Sequence, residues 1–131
     1  MNERMAAAGE QLYYVVSVHH THRDDPYILL WRPECKGYCF RTEEAGKYAE
    51  SEIAAHLGYY HSGCSNIAVK CEVLDVLVVP SSPGYLDTAG QVVPNNKASW
   101  ADILQAQTWP MAHRARPLYK GARRDPEREA V

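Results

Sequence analysis

Between Tyr27 and Val79 the chain reads as sheet, then helix, then sheet, with aromatic residues gathered at the joins. No other feature constrains the fold as much. Leu12 to His19 precedes this run and is dense in Tyr and Val, which fit a pleated surface. Successive strand residues face opposite ways, so Tyr14, Val16 and Val18 share one face and Tyr13, Val15 and Ser17 the other. His20 to Pro26 is a polar loop. Tyr27 to Trp31 is apolar on both faces, as an interior strand is. Pro33 to Gly37 makes a turn, Pro presetting φ and Gly accepting positive φ, and Gly37 to Arg41 returns as a third strand of an antiparallel meander.

Thr42 caps a helical region in which Ala45, Ala49, Ile53, Leu57 and Tyr60 fall on one apolar stripe. Gly46 weakens the helix by about 1 kcal/mol relative to Ala, which moves its start toward Glu50. Gly58 and Gly63 bracket its end. Ile67, Val69, Cys71 and Val73 then alternate with Ala68, Lys70, Glu72 and Leu74, the pattern of a strand with one packed face and one partly wet. Cys71 takes the inward register. Val76 to Val79 prolongs that strand or starts another after a bend at Asp75. Pro80 to Asn96 is a loop with a short hairpin through Val92 and Val93. Ser99 to Asp102 has capping-box spacing, with Asp in place of Glu, ahead of a short helix that runs to about Gln107 and is closed off by Pro110.

These elements make an α+β domain over residues 12–110: an antiparallel sheet of about four strands, one main helix packed on it and a short C-terminal helix. Residues 1–11 read as a flexible N-terminus and 111–131 as a basic, flexible tail. At 131 residues and 46% hydrophobic, the chain fits one domain able to bury about two thirds of its unfolded surface. No apolar run approaches the roughly 20 residues that span a bilayer. Met1 to Gln11 is too short and polar for a signal-peptide core. Together these place the chain in the cytoplasm, with no membrane partner, and its four cysteines reduced. Residues 1–110 carry 8 Lys/Arg against 13 Asp/Glu, and residues 111–131 carry 6 against 3. That small basic excess is the footprint for a nucleic-acid reading through Arg114, Arg116, Lys120, Arg123 and Arg124.

Candidate chemistry is sparse. On an extended backbone His20 and His22 project from one face, with Asp24 or Asp25 beside them, and Cys35, Cys39, His61 and Cys64 form a second potential ligand set. Their spacings lack the paired Cys-x2-Cys knuckles of zinc sites, so no metal is assigned. Cys64 follows His61 by three residues, but a thiol nucleophile needs its base within hydrogen-bond reach, which adjacency in sequence does not show, and free Cys commonly acts as a small buried apolar group. Glycine-rich phosphate loops are missing, and no cofactor is assigned. Trp31, Tyr38, Tyr48, Tyr59 and Tyr60 fall at the ends of elements, where such side chains are either core lids or anchors for a partner. Trp31 and Tyr48 are read as core. Tyr59 and Tyr60 are adjacent and cannot both point inward, which makes Tyr38, Lys47, Tyr59, Tyr60 and His61 the candidate partner-binding set.

Tyr13 to Val18, Tyr27 to Pro33, Lys36 to Tyr38, Ala45 to Tyr48, Tyr59-Tyr60 and Ser62-Gly63 together carry a resemblance, joined by Ile67 to Val69, Cys71 to Leu74 and Asn95-Asn96 ahead of Trp100. In these pieces the chain resembles small accessory proteins encoded in bacterial prophages, over roughly residues 12–105. Thr42 to Glu44 and Ala49 depart from that form, at the helix start. The resemblance implies an origin in a mobile element and a non-enzymatic protein that binds a host protein or complex, including the machinery of bacterial defence systems, in the host cytoplasm. It brings no catalytic residues. A nucleic-acid-associated regulator using the basic tail is the alternative, and a zinc- or thiol-dependent enzyme the third reading.

Overall fold

The computed structural model describes residues 9–123. Strand β1 (Leu12–Ser17) is the centre of a five-stranded antiparallel sheet, because both its edges are used. Strand β5 (Asn66–Lys70) runs along one edge, from Tyr13 opposite Lys70 to Ser17 opposite Asn66. The other edge is shared: β4 (Tyr48–Ala49) pairs with Leu12 and Tyr13, and β2 (Leu30–Trp31) with Val16. Strand β3 (Tyr38–Cys39) extends β2, with Trp31 opposite Tyr38. The α+β class is as the sequence indicates, with one strand more. That extra strand is β4, which the helical stripe through Ala45 and Ala49 concealed.

Both faces of β1 are covered, and its alternation sorts the core in two. Tyr14, Val16 and Val18 join Ile67 and Val69 beneath helices α3 (Cys71–Asp75) and α4 (Lys97–Gln105), which contribute Cys71, Leu74, Trp100 and Ile103. On the opposite face Tyr13, Val15 and Ala68 meet Trp31, Tyr48, and Ile53 and Tyr60 from helices α1 (Glu50–Ala55) and α2 (Leu57–Tyr60). The second face of β5 is therefore packed rather than wet: Ala68 is wholly buried. Period two also overruns the strand. β5 stops at Lys70, and Cys71 enters the core as the first residue of α3, three positions before Leu74 on the same helical face.

Thr42–Glu44 is a 3-10 turn, and the helix begins at Glu50. Gly46 belongs to neither. Its N–H bonds the Trp31 carbonyl at 2.9 Å, and a Cβ there would lie 2.8 Å from Pro33 Cα. Lacking a cap of its own, α1 takes the Glu10 carboxylate on the Ser51 N–H at 2.7 Å, and Glu50 and Glu52 add negative charge to its first turn. The expected main helix is broken at His56, where φ is −142°. Helix α4, of 9 residues, is longer than α1, and its cap is not Ser99. Asn96 accepts the Ser99 N–H at 2.9 Å, leaving Ser99 inside the first turn and buried. Strands β6 (Val79–Pro80) and β7 (Gln91–Val92) form a separate ribbon, so the hairpin pairs Val79 with Val92.

The polypeptide does not leave the body at residue 110. Ala115 is buried, Met111 and Tyr119 pack against the first core, and the His113 N–H bonds the Ser62 carbonyl at 3.0 Å. Asn95 Nδ2 donates to the Leu118 carbonyl, and Arg23 to the Ala122 carbonyl at 2.8 Å. Residues 111–123, placed in a flexible tail by composition, are thus an arm laid along the domain; Arg124, named among the basic candidates, lies outside the described residues. Among the described residues no helix is long and apolar enough to cross a membrane.

Candidate functional site

The β2–β3 turn holds two consecutive residues in the left-handed region, Glu34 and Cys35, both at φ 59°, followed by Gly37 at 101°. For non-glycine residues this conformation is costly and persists only where the surroundings hold it. Here Tyr48 does so from beneath: its hydroxyl donates to the Arg32 carbonyl at 2.5 Å and accepts the Cys35 N–H at 3.0 Å. Burial pushes the Tyr48 phenol well above its ordinary range, so it stays protonated and able to donate.

Over this turn lies a cleft of about 290 Å³ lined by Trp31, Cys35, Gly37, Tyr38 and Tyr59. Trp31 forms its floor. The indole packs edge-on against Tyr59 at 5.3 Å and donates from Nε1 to Asn66 Oδ1 at 3.2 Å, while Asn66 donates in turn to the Tyr59 carbonyl. Tyr38 and Tyr59 make the walls, 42% and 56% exposed. Tyr38 is further braced by His20, ring to ring at 4.7 Å, and burial followed by the charges of His19 and His22 lowers the His20 pKa. The Tyr59 phenol is raised, by burial first and by the Cys35 thiol second.

The candidate partner-binding residues separate on inspection. Tyr38 and Tyr59 are exposed on the cleft, and Lys47 is exposed just after Gly46. Tyr60 and His61 are core residues and not surface contacts. Tyr60 is 4% exposed and donates to Glu52 at 2.8 Å, while His61 is 1% exposed with both ring nitrogens engaged. Adjacent aromatics in the sequence could not show which of them turns inward. Trp31, read as core, is both core and cleft floor.

The chemical candidates are dispersed. Among the described residues no three His, Cys, Asp or Glu side chains are grouped to hold a metal ion. The loop carrying His20 and His22 is organised by Thr21, whose hydroxyl donates to the Ser17 carbonyl at 2.6 Å and accepts the Leu29 N–H. Cys64 is exposed, against the expectation of burial, and its thiol contacts Ser65. His61 is not placed to act as its base, because Nδ1 is occupied by the Ala68 N–H and Nε2 by the Trp109 carbonyl. Cys39 is buried, its thiol pushed up to about 11 by desolvation.

The basic candidates come together in part. Arg114, Arg116 and Arg123 line a groove of about 740 Å³ between α4 and the arm, joined by Lys97, which sequence reading passed over; Lys120 is exposed outside it. Compared with protein-family models, with curated proteins and with solved structures, the chain matches none.

Proposed function

We propose that this chain is a non-enzymatic binding protein of the prophage accessory kind, which attaches to a host protein complex through the cleft of Trp31, Tyr38 and Tyr59, with a bacterial defence system as the target class. The observation that carries the reading is the pair of tyrosines standing exposed over a floor that is held rigid. Tyrosines of this kind contribute large contact area with little loss of side-chain freedom, which is why they recur at binding hot spots. Trp31 is locked by Asn66 and the turn by Tyr48, so the surface is organised before a partner arrives. The resemblance to prophage proteins supplies the class of partner.

The experiment is expression of the intact chain in a bacterial host that carries a defence system restricting a phage. Wild-type protein should restore plaque formation and co-purify with a component of that system. Tyr38→Ala with Tyr59→Ala should abolish both while leaving the thermal transition within a few degrees. Full activity in the double variant would overturn the reading, as would loss of activity on replacing Cys64 or His22 alone.

A further inference from the structure

The groove between α4 and the arm shares no residue with the aromatic cleft, and its composition is at odds with the rest of the molecule. The chain as a whole is acidic, at net charge −2, yet among the described residues Lys97, Arg114, Arg116 and Arg123 line this groove and no Asp or Glu does. Lys97, Arg114 and Arg123 make no ion pair among the described residues. Gathering like charges around one concavity costs electrostatic energy that an anionic ligand would relieve. Beneath the cations the surface is apolar, with Leu104 and Met111 half-buried along it.

The groove is also preformed. Three independent ties hold the arm to the body: His113 N–H to the Ser62 carbonyl, Asn95 Nδ2 to the Leu118 carbonyl, and Arg23 to the Ala122 carbonyl. A ligand therefore meets a built surface and need not organise a free chain end.

We infer that this groove is a docking site for an acidic peptide segment of a partner protein, seated by one apolar side chain on Leu104 and Met111 and by carboxylates on Lys97, Arg114 and Arg123. Single-stranded nucleic acid is the competing anion, and the groove suits it less. Sequence-tolerant strand binding stacks bases on exposed aromatic rings. Here Trp100 is 2% exposed, with its indole N–H spent on Asn95 Oδ1 at 2.6 Å, and Tyr119 packs against the core. An apolar floor with a cationic rim matches a peptide that alternates Asp or Glu with a Leu or Phe.

The test is fluorescence anisotropy on the full chain with four labelled probes: an acidic dodecapeptide with a central Leu, the same peptide with Ser for Leu, its Lys-for-Glu counterpart, and a dodecanucleotide. The acidic Leu peptide should bind best. Replacing its Leu, or introducing Arg114→Ser with Arg123→Ser, should each weaken it by about tenfold or more, and the Lys peptide should not bind. Tyr38→Ala with Tyr59→Ala should leave the affinity unchanged, which separates this site from the cleft. Tighter binding of the oligonucleotide, indifference to the arginine variants, or a dimer in sedimentation that those variants abolish would each overturn the assignment.

Discussion

The imidazole of His61 takes the place of a missing strand beside Ala68. Among the described residues strand β5 pairs with β1 on one edge only, and on the other the Ala68 N–H donates to His61 Nδ1 at 3.0 Å. Since Nδ1 accepts, the proton sits on Nε2, which donates to the Trp109 carbonyl at 2.8 Å. One ring thereby closes a sheet edge and fastens the chain beyond α4 to it. An exposed edge invites pairing with other chains, and here it is covered.

Burial lowers the pKa of His61, partly countered by the Trp109 carbonyl. The folded protein thus holds the ring neutral at pH values where the unfolded chain, with a His pKa of about 6.5, takes up a proton. Stability from this group is complete above that value and declines as the pH falls below it toward the lower folded value, because there the unfolded state binds more protons. Urea midpoints should fall between pH 7.5 and 5.5, and His61→Leu should flatten that dependence. His61→Leu should also cost about 2–3 kcal/mol at pH 7.5 by orphaning the Ala68 N–H. An unchanged pH dependence in the variant would assign the effect to another group.

Gly63 sits where no side chain fits. Its φ is 96°, and a Cβ would lie 1.9 Å from the His113 carbonyl oxygen, so Gly63→Ala must push the arm off the body. The expected loss is about 2 kcal/mol or more, from backbone strain and broken arm contacts together. Gly58 is the contrast: it lies within α2 with nothing near its Cβ position and φ outside the left-handed range. Gly58→Ala should stabilise by about 0.5–1 kcal/mol. Thermal denaturation of the two variants side by side tests both signs.

How far the fold is legible in the sequence varies by element. Alternation in β1 is readable because Tyr14, Val16 and Val18 face one core and Tyr13 and Val15 the other, a local consequence of the pleat. β4 is not readable. Two residues carry no period of their own, and Tyr48 and Ala49 become a strand only by meeting Leu12 and Tyr13. Cys71 satisfies both readings at once, two positions from Val69 in a strand and three from Leu74 in a helix, so periodicity cannot find the junction. Of the candidate site, Tyr38 and Tyr59 were legible as element-end aromatics, whereas the inward turn of Tyr60 and His61 depends on a sheet edge assembled from distant segments. The arm hid behind its charge: Met111, Ala115 and Tyr119 are its packing residues, interleaved with Arg114, Arg116 and Lys120.

The start of α4 offers a direct check on which residue caps it. Asn96 accepts the Ser99 N–H, while Asp102 is exposed in the second turn. Asn96→Ala should therefore lower stability by about 1 kcal/mol and Asp102→Ala by much less. Equal effects in chemical denaturation would restore the capping box that spacing alone indicates.

Asn95 is the keystone of the arm, and a substitution that preserves its shape shows why. Its Oδ1 accepts from Trp100 Nε1 at 2.6 Å, and its Nδ2 serves the carbonyls of His22, Asp25 and Leu118 at 3.2, 2.9 and 3.1 Å. The loop before Tyr27, helix α4 and the arm thus converge on one amide that is 7% exposed. Asn95→Asp keeps the volume and the Trp100 bond but turns the donor into an acceptor facing three carbonyl oxygens. The loss at pH 7 should be about 2–4 kcal/mol, from unpaired carbonyls and a desolvated charge. Such a carboxyl has its folded pKa raised above the unfolded value of about 3.9, so protonation restores a donor and the deficit relative to wild type should shrink as the pH falls through the raised value. Hydrogen exchange should report the same event locally, with the amides of His113 and Ala122 losing protection at pH 7 while Val15 and Val69 in the sheet keep theirs. If exchange in the arm is unchanged, Asn95 does not hold it, and the preformed groove beside α4 loses one of its three supports.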